Sequence, residues 1–443
     1  MIALLDCNNF YVSCERLFKT SLNDKPVAVL SNNDGCIISR SEEVKSMGIK
    51  MGEPFFKVKK KLNDAGVHVC SSNYSLYGDI SNRVMEIIRK DCDILEKYSI
   101  DEAFFDLSNI KNKELFCFNL KNKILKWTGI PVSIGIGKTK TLSKIANRVV
   151  KKNNEYKIRL NFNGIYEINC EDELNYILRN TSVEDIWGIG RRLSVFFRKI
   201  NINDAFSFKN INLKFIRQKK GIVTQKTVLE LRGVECYPIE LEQADRKSIC
   251  VSRSFGEKIY LYEELQSALI IYSEKASQKL RKYRLSCGAI TVFIQTSRYD
   301  EKYYFDSKTF TFIEQTLDSR LIWIKANYLL KKLYVKGFRY SKVGIILSKL
   351  CRHEKVQISL LNYASNNENS YDDQESKVLM TIIDSLNERF GEGKVRIASG
   401  ANSYSYKKKL DTLKKKNNWL MRSNYCSPCY TTRWCDIPKV KIK

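Results

Sequence analysis

Asp6, Asp101 and Glu102 are the side chains of this sequence best placed to do chemistry. Each lies at or beside the end of an apolar run. Ile2 to Leu5 stops at Asp6, while Tyr98-Ser99-Ile100 and Ala103-Phe104-Phe105 flank the acidic pair. Neighbouring residues on a regular strand point to opposite faces, so one site uses both Asp101 and Glu102 only if the chain bends there, as at a hairpin tip. Three carboxylates packed together repel and hold raised pKa values unless a cation is present. Mg²⁺ answers that need with oxygen ligands, usually a few carboxylates plus substrate phosphates. Two such ions suit in-line attack on a phosphate, one activating the nucleophile and one holding the leaving oxygens. An isolated Asp-Glu pair in a strand turn is ordinary protein surface, so the surrounding chain must decide.

The elements around the acids read as one small sheet. Ile2 to Leu5 and Val27 to Leu30 are buried strands, the second closed by the turn-rich Ser31-Asn32-Asn33-Asp34-Gly35. Glu42 to Met47 is a short helix with Gly48 past its end. Asp79 to Leu95 is amphipathic, with Ile80, Val84, Ile87, Ile88 and Leu95 at helical spacing. Tyr98 to Leu107 suits a β-hairpin, Leu115 to Trp127 a helix, Pro131 to Ile136 a strand ending at Gly137, and Lys138 to Lys152 a basic helix. The order strand, helix, hairpin, helix, strand, helix is that of a split βαβ, ferredoxin-like sheet. Past about residue 168 short helices follow, with Trp187-Gly188-Ile189-Gly190 between two of them. Strands return at Ile249–Phe255, Ala289–Thr296 and Lys342–Leu347, with a long helix over Leu261–Tyr283. Asn362 to Ser376 reads as a polar linker. Six of the ten residues from Lys407 to Lys416 are Lys, a charged helix or tail for phosphate or an acidic partner.

Composition narrows the partner. At roughly 150 residues per domain, 443 residues predict about three domains. A content of 43% hydrophobic and 11% aromatic residues excludes a largely disordered chain. The 76 Lys and Arg against 49 Asp and Glu leave +27, which points to a polyanion, most often nucleic acid. No apolar run approaches the ~20 residues of a membrane span, so no membrane partner is expected. Asp6 interrupts the only early apolar stretch, so no secretory leader is expected. Fourteen Cys fall below the density of a disulfide scaffold, and a reducing, cytoplasmic setting is the expectation.

The segment Leu4-Leu5-Asp6-Cys7-Asn8-Asn9-Phe10-Tyr11-Val12-Ser13-Cys14-Glu15 resembles the opening motif of Y-family translesion DNA polymerases. YSIDEAFFDL resembles their second acidic motif, and IGIGKTKTLSKIAN, from Ile134 to Asn147, their third. Ser31 to Phe56 resembles the fingers segment of the branch formed by the UmuC subunits of bacterial DNA polymerase V. VEDIWGIGRRL, SRSFGE and SPCYTTR continue that pattern in order, so the resemblance covers essentially the whole chain.

The resemblance implies an α+β right-hand polymerase with a ferredoxin-like palm at residues 1–168, fingers inserted at about 11–75, and a helical thumb with a helix-hairpin-helix at 169–240. An α/β little finger at 241–352 and a clamp motif, linker and basic tail at 353–443 complete it. Asp6, Asp101 and Glu102 then hold two catalytic Mg²⁺ ions, with the main-chain carbonyl of Cys7 as a further ligand. The reaction is attack of a primer 3′-hydroxyl on the α-phosphate of a dNTP, releasing pyrophosphate, past damaged template bases in the SOS response. Tyr11 matches the steric gate beneath the incoming sugar, with Phe10 packed behind it. Ser39, Lys45 and Lys144 match the positions that touch the triphosphate, where charge-assisted donors are expected. Lys45 stands where many relatives carry Arg, and Glu42 where some carry Tyr; a lysine lacks the bidentate fork.

Gly188 and Gly190 let backbone N–H groups approach a DNA phosphate, and Arg191 and Arg192 open the following helix. Arg246, Lys247, Arg253, Lys258, Arg298, Lys336 and Arg339 are candidates for phosphate contacts in the little finger. Gln357-Ile358-Ser359-Leu360-Leu361 resembles the pentapeptide by which bacterial polymerases bind the sliding clamp, with Ile358 in place of the usual Leu and Leu361 in place of an aromatic. Cys426, Cys429 and Cys435 offer one Cys-x-x-Cys and a lone Cys, short of the two close pairs of a structural zinc site, and are expected as free thiols. The implied partners are primer–template DNA, dNTP, the sliding clamp, a processed UmuD-like dimer and the RecA filament, the last two attached through the tail.

Three competing readings explain less. A polymerase IV-like enzyme working alone does not account for SNNDGC or the chain after residue 353. A palm-fold nucleotide cyclase has no use for a thumb or for this charge. A non-catalytic DNA-binding repair accessory protein explains the charge but not the acids in motif context.

Overall fold

Ile-Ala-Leu-Leu at the start of β1 (Ile2–Cys7) is apolar on both faces, which suits a central strand covered on each side. The computed structural model describes residues 1–152, 156, 164–241, 245–352, 373–391, 393–397 and 422–437. The chain divides into two units, Met1–Gln243 with Ser423–Lys443, and Ala244–Arg422.

In the first unit β1 runs antiparallel between β6 (Glu102–Asp106) and β7 (Val132–Gly137). With β5 (Leu95–Lys97) and β8 (Ile165–Glu167) the sheet order is β5-β6-β1-β7-β8. The hairpin expected over Tyr98–Leu107 is shifted: its arms are β5 and β6, paired antiparallel, so the first arm precedes Tyr98 and residues 98–101 form the turn. Strand alternation sorts the sheet into two faces. Ala3, Leu5, Ala103 and Phe105 pack with helices α4 (Tyr74–Asp91) and α5 (Lys113–Thr128). Ile2, Leu4 and Phe104 form a cluster on the other face. Helix α6 (Lys140–Lys151) lies against β7 so closely that a Cβ at Gly135 would sit 2.1 Å from the Asn147 backbone nitrogen. Any side chain there must push α6 off the sheet.

The expected helix over Asp79–Leu95 is shifted: α4 starts at Tyr74 because the Asn73 side chain accepts the Leu76 N–H, and it ends at Asp91 because Cys92 turns extended. Leu95 belongs to β5 instead. Three short elements carry no strong periodicity and were not expected: helix α1 (Phe10–Phe18), strand β3 (Ile37–Arg40) and strand β4 (His68–Ser71). β3 and β4 flank β2 (Val27–Leu30) in a second sheet of order β3-β2-β4, in which β2 and β4 are parallel. Its core joins Ala28, Leu30 and Ile37 to Val44 of helix α2 (Glu42–Ser46) and to Phe55, Val58 and Leu62 of helix α3 (Phe55–Asp64).

Helices Glu171–Arg179, Arg191–Lys199, Ala205–Lys209 and Leu213–Leu231 follow, the last broken at Gly221 (φ 81°). Their core is shared with Leu142, Ile145 and Val149 of α6. Buried Glu230 fastens them to α6: its carboxylate accepts the backbone N–H groups of Thr141, Cys236 and Tyr237, and its carbonyl accepts the Thr139 hydroxyl.

The second unit is a four-stranded antiparallel sheet of order β11-β10-β12-β9, made of β9 (Ser248–Ile259), β10 (Leu285–Thr296), β11 (Phe305–Thr316) and β12 (Tyr340–Arg352). Helices Tyr262–Lys282 and Ser319–Leu333 supply Leu265, Leu269, Ile322 and Leu329 to its core. The strand Phe305–Thr316 and the second helix were not expected. Residues 353–443 are shared between the units. The helix Asp373–Phe390 packs on the second through Met380 and the Arg281–Asp384 ion pair, and so takes the last residues of the expected linker. Ser423 onward joins the first unit. Residues 353–372, with the clamp-like pentapeptide, and Lys407–Lys416 lie outside the described residues. No described helix is long and apolar enough to cross a membrane.

Candidate active site

The β1–β6 register sets Asp6 directly opposite Glu102, on the sheet face that carries α6. Asp101 lies in the turn before β6. Its carbonyl accepts the Cys7 N–H at 2.9 Å, and its carboxylate accepts the Ser99 hydroxyl at 2.6 Å. The same hydroxyl oxygen accepts the Glu102 N–H at 3.0 Å. The hairpin bend demanded by two neighbouring acids is therefore built on Ser99, and it ties the acidic turn to the last residue of β1.

Two lysines of α6 face these acids. Lys151 Nζ lies 2.5 Å from Asp6 Oδ1, and Lys144 Nζ lies 2.8 Å from Glu102 Oε1. Lys144 is also cradled by rings, 4.6 Å from the centroid of Tyr98, 5.6 Å from Phe104 and 5.7 Å from Trp187. Burial lifts the Asp6 carboxyl from 3.8 to about 6; Lys151 opposes the rise, and the charges of Glu102 and Asp101 add to it. Among the described residues no group of three or more His, Cys, Asp or Glu side chains is gathered as a metal cage. Asp6 and Glu102 instead each lean on a lysine.

The donor set still fits a hard divalent cation. It offers carboxylate oxygens on one strand end and one adjoining turn, under mutual repulsion that added positive charge relieves. The Cys7 thiol is fully buried and burial raises its pKa, so it stays protonated, leaving the main-chain oxygen as the donor this residue can give such an ion.

Asn9 adopts the left-handed conformation (φ 47°, ψ 42°), which an Asn tolerates better than most residues, and the chain turns from β1 straight into α1. Phe10 is buried in the core, while Tyr11 is half-buried. The Tyr11 ring stacks on Tyr77 with centroids 4.5 Å apart and meets Tyr74 edge-on at 6.1 Å. Lys45 Nζ lies 2.7 Å from Glu42 Oε1, and that same oxygen accepts Asn9 Nδ2–H at 3.1 Å. Lys45 is thus linked to the turn beside Tyr11. Ser39 is buried on β3, opposite Val29 of β2, and no bond joins it to the acids.

Gly188 takes φ 88°, where a side chain would be strained, and Gly190 precedes the helix Arg191–Lys199. Gly188, Gly190, Arg191 and Arg192 are all exposed. Trp187 ties this turn to the acidic hairpin, since its Nε1–H donates to the Tyr98 hydroxyl at 3.0 Å. In the second unit Arg246, Lys247, Lys258, Arg298, Lys336 and Arg339 are exposed and Arg253 is half-buried. Lys258 pairs with Asp300, which leaves it less available to a phosphate.

Several contributors were not anticipated: Lys151, Ser99, the Tyr74–Tyr77 pair, and Glu15, which accepts the Tyr77 hydroxyl. Lys151 had a readable signal, because it lies seven residues after Lys144, close to two helical turns, and so shares its face of α6.

The fold is that of the Y-family DNA polymerases: a Y-family polymerase chimera superposes with a TM-score of 0.63 at 22% identity, covering 79% of this chain and 99% of its own. Residues 5–148 match the impB/mucB/samB family and residues 246–360 its C-terminal domain. The chain belongs to that family. It is 37% identical to "Protein UmuC" and 35% identical to "Protein ImpB", both of Salmonella typhimurium, each over 100% of both chains. It is 31% identical to "DNA polymerase IV" of Picrophilus torridus over 59% of this chain and 72% of that protein. Residues 377–440 match a domain of unknown function.

Proposed function

We propose that the protein is an error-prone, UmuC-like translesion DNA polymerase that adds dNTPs to a primer 3′ end opposite damaged template in the SOS response. The observation that carries this reading is the register of β1 and β6. It holds Asp6 across from Glu102 and Asp101 against Cys7 at the edge where α6 presents two cations. A UmuC-like role is favoured over a polymerase IV-like one because the likeness to UmuC is 37% identity over the full chain, whereas the likeness to polymerase IV is 31% over 59% of the chain in one relative and falls to 24% in another that spans 90% of it.

Asp6, Asp101, Glu102 and the Cys7 carbonyl are assigned to two Mg²⁺ ions. Bound there, Mg²⁺ supplies neutralisation of the triphosphate and activation of the primer hydroxyl. The chain's own residues do the rest. Ser99 fixes the acidic turn through the Asp101 carboxylate and the Glu102 backbone N–H, so that the backbone of the turn is set before binding. Lys144 and Lys151 neutralise the acids before substrate arrives, and Lys144 then has an anionic partner in the triphosphate. Lys45 and Ser39 complete the triphosphate contacts, and Tyr11, braced by Phe10, lies beneath the sugar.

The first sheet and its helices act as palm (residues 1–168) with inserted fingers (about 11–75), residues 169–240 as thumb and 241–352 as little finger. Gly188, Gly190, Arg191 and Arg192 grip a DNA phosphate without reading sequence. Gln357 to Leu361 binds the sliding clamp, and the chain beyond it serves a UmuD-like dimer and the RecA filament in the cytoplasm. Asp101→Ala with Glu102→Ala tests the core of the proposal. Primer extension should vanish while DNA binding persists, because the phosphate contacts come from other residues. Residual extension above a few per cent would remove the metal assignment.

A further inference from the structure

The chain comes back to the first unit at Ser423, and the returning segment is bonded to the elements around Tyr11. Its backbone extends the edge of β4. Ser71 N–H donates to the Tyr425 carbonyl at 2.9 Å, the Tyr425 N–H donates to Ser71 Oγ at 3.0 Å, and Cys426 bridges Ser71 in parallel. Asn73, buried at the start of α4, accepts the Leu76 N–H with its side-chain oxygen. With its nitrogen it donates to the Ser427 carbonyl at 3.1 Å and the Pro428 carbonyl at 3.0 Å. One side chain therefore caps α4 and holds the returning segment. The Tyr430 ring stacks on Phe18 of α1, centroids 4.6 Å apart.

The segment also reaches a buried acid. Glu15 is 3% exposed, and one of its oxygens accepts two hydroxyls, Tyr77 at 2.6 Å and Ser427 at 3.0 Å. A buried carboxylate oxygen is costly without donors, so both hydroxyls are held firmly. Tyr77 is fully buried and carries the stacked face of Tyr11. The path Ser427–Glu15–Tyr77–Tyr11 consists of two hydrogen bonds and one ring stack.

We infer that Ser427 is a positioning residue for sugar selection: the C-terminal segment, through Glu15 and Tyr77, fixes the height and tilt of the Tyr11 ring. This rests on the reading of Tyr11 as the ring beneath the incoming sugar. Selection by contact requires a ring that cannot yield. A ring free to slide accommodates a 2′-hydroxyl, so loosening Tyr77 relaxes discrimination without touching the acids or the triphosphate contacts.

The test is single-nucleotide insertion by the full-length protein with Mg²⁺, comparing kcat/KM for an rNTP and the matching dNTP. Ser427→Ala and Tyr77→Phe each remove one donor from Glu15. Each should raise the rNTP-to-dNTP ratio by about three- to tenfold, the scale of one typical net hydrogen bond. Ser427→Thr keeps the hydroxyl and should keep the parental ratio. Equal losses for both nucleotides, with the ratio unchanged, overturn the inference and leave the segment a structural strap. Tyr11→Ala is measured alongside. If it relaxes the ratio while Ser427→Ala and Tyr77→Phe do not, the gate stands and the positioning role falls. If Tyr11→Ala leaves the ratio unchanged, both fall.

Discussion

Lys151 and Asp6 form an ion pair across the gap between α6 and the end of β1, 2.5 Å from ammonium to carboxylate. The pair has a pH signature in metal-free protein. Burial raises the Asp6 carboxyl from 3.8 to about 6 despite Lys151, so the folded chain holds this proton more tightly than the unfolded chain does. That contribution is fully present below about pH 3.8 and is lost as pH rises through about 6. Urea unfolding of metal-free protein at pH 4 and pH 7 should show a stability loss that Asp6→Asn does not share. Parallel profiles for the two proteins would contradict the burial-driven shift.

DNA binding should be steeply dependent on salt. If the basic groups meet 4 to 6 phosphates, the log–log slope should be roughly −4 to −5. Exposed Arg191, Arg192, Arg246, Lys247 and Arg298 are available to make such contacts. A slope shallower than about −2 in a fluorescence titration means that the charge surplus serves another partner.

Tyr11→Ala should raise ribonucleotide insertion strongly while extension with dNTPs persists. A 2′-hydroxyl driven against a packed ring meets an overpacking cost of typically ~1–3 kcal/mol, or about ten- to hundredfold in discrimination. Phe10→Leu should do less, since that ring is buried behind Tyr11. An unchanged sugar preference in an active Tyr11→Ala enzyme places the gate elsewhere.

Replacing Gln357, Leu360 and Leu361 by Ala should lower clamp-stimulated synthesis and spare clamp-free synthesis. Equal loss in both assays identifies the segment as structural.

How much of this was legible depends on the kind of interaction. Asp6, Asp101 and Glu102 stand out because apolar runs bracket them, and Ile2 to Leu5 can hardly be anything but a covered strand. Helix α1 was hidden because the Asn8-Asn9 pair before it reads equally as a turn, and Asn9 indeed begins the helix in a left-handed conformation with no side-chain cap. β4, only His68–Ser71, is too short for alternation to show. The spacing from Lys144 puts Lys151 on the same face of a basic helix, but only the fold shows that this face meets Asp6. The return of the C-terminal segment was illegible for another reason. Asn73 and Ser71 recognise mainly its backbone, and backbone groups look alike in every sequence.

The closing of that segment onto Glu15 also imposes an order on biosynthesis. Translation proceeds at roughly 5–20 residues per second, so the stretch between Gln243 and Ser423 delays the returning strand by about 10 to 40 s. During that interval the nascent catalytic unit has β4 open along one edge, and Glu15 has the Tyr77 hydroxyl without that of Ser427. A chain released before residue 427 keeps Asp6, Asp101, Glu102 and both lysines of α6, yet never receives the second donor. Premature termination therefore yields a polypeptide with its acids and basic surface in place and the support beneath the Tyr11–Tyr77 stack unfinished.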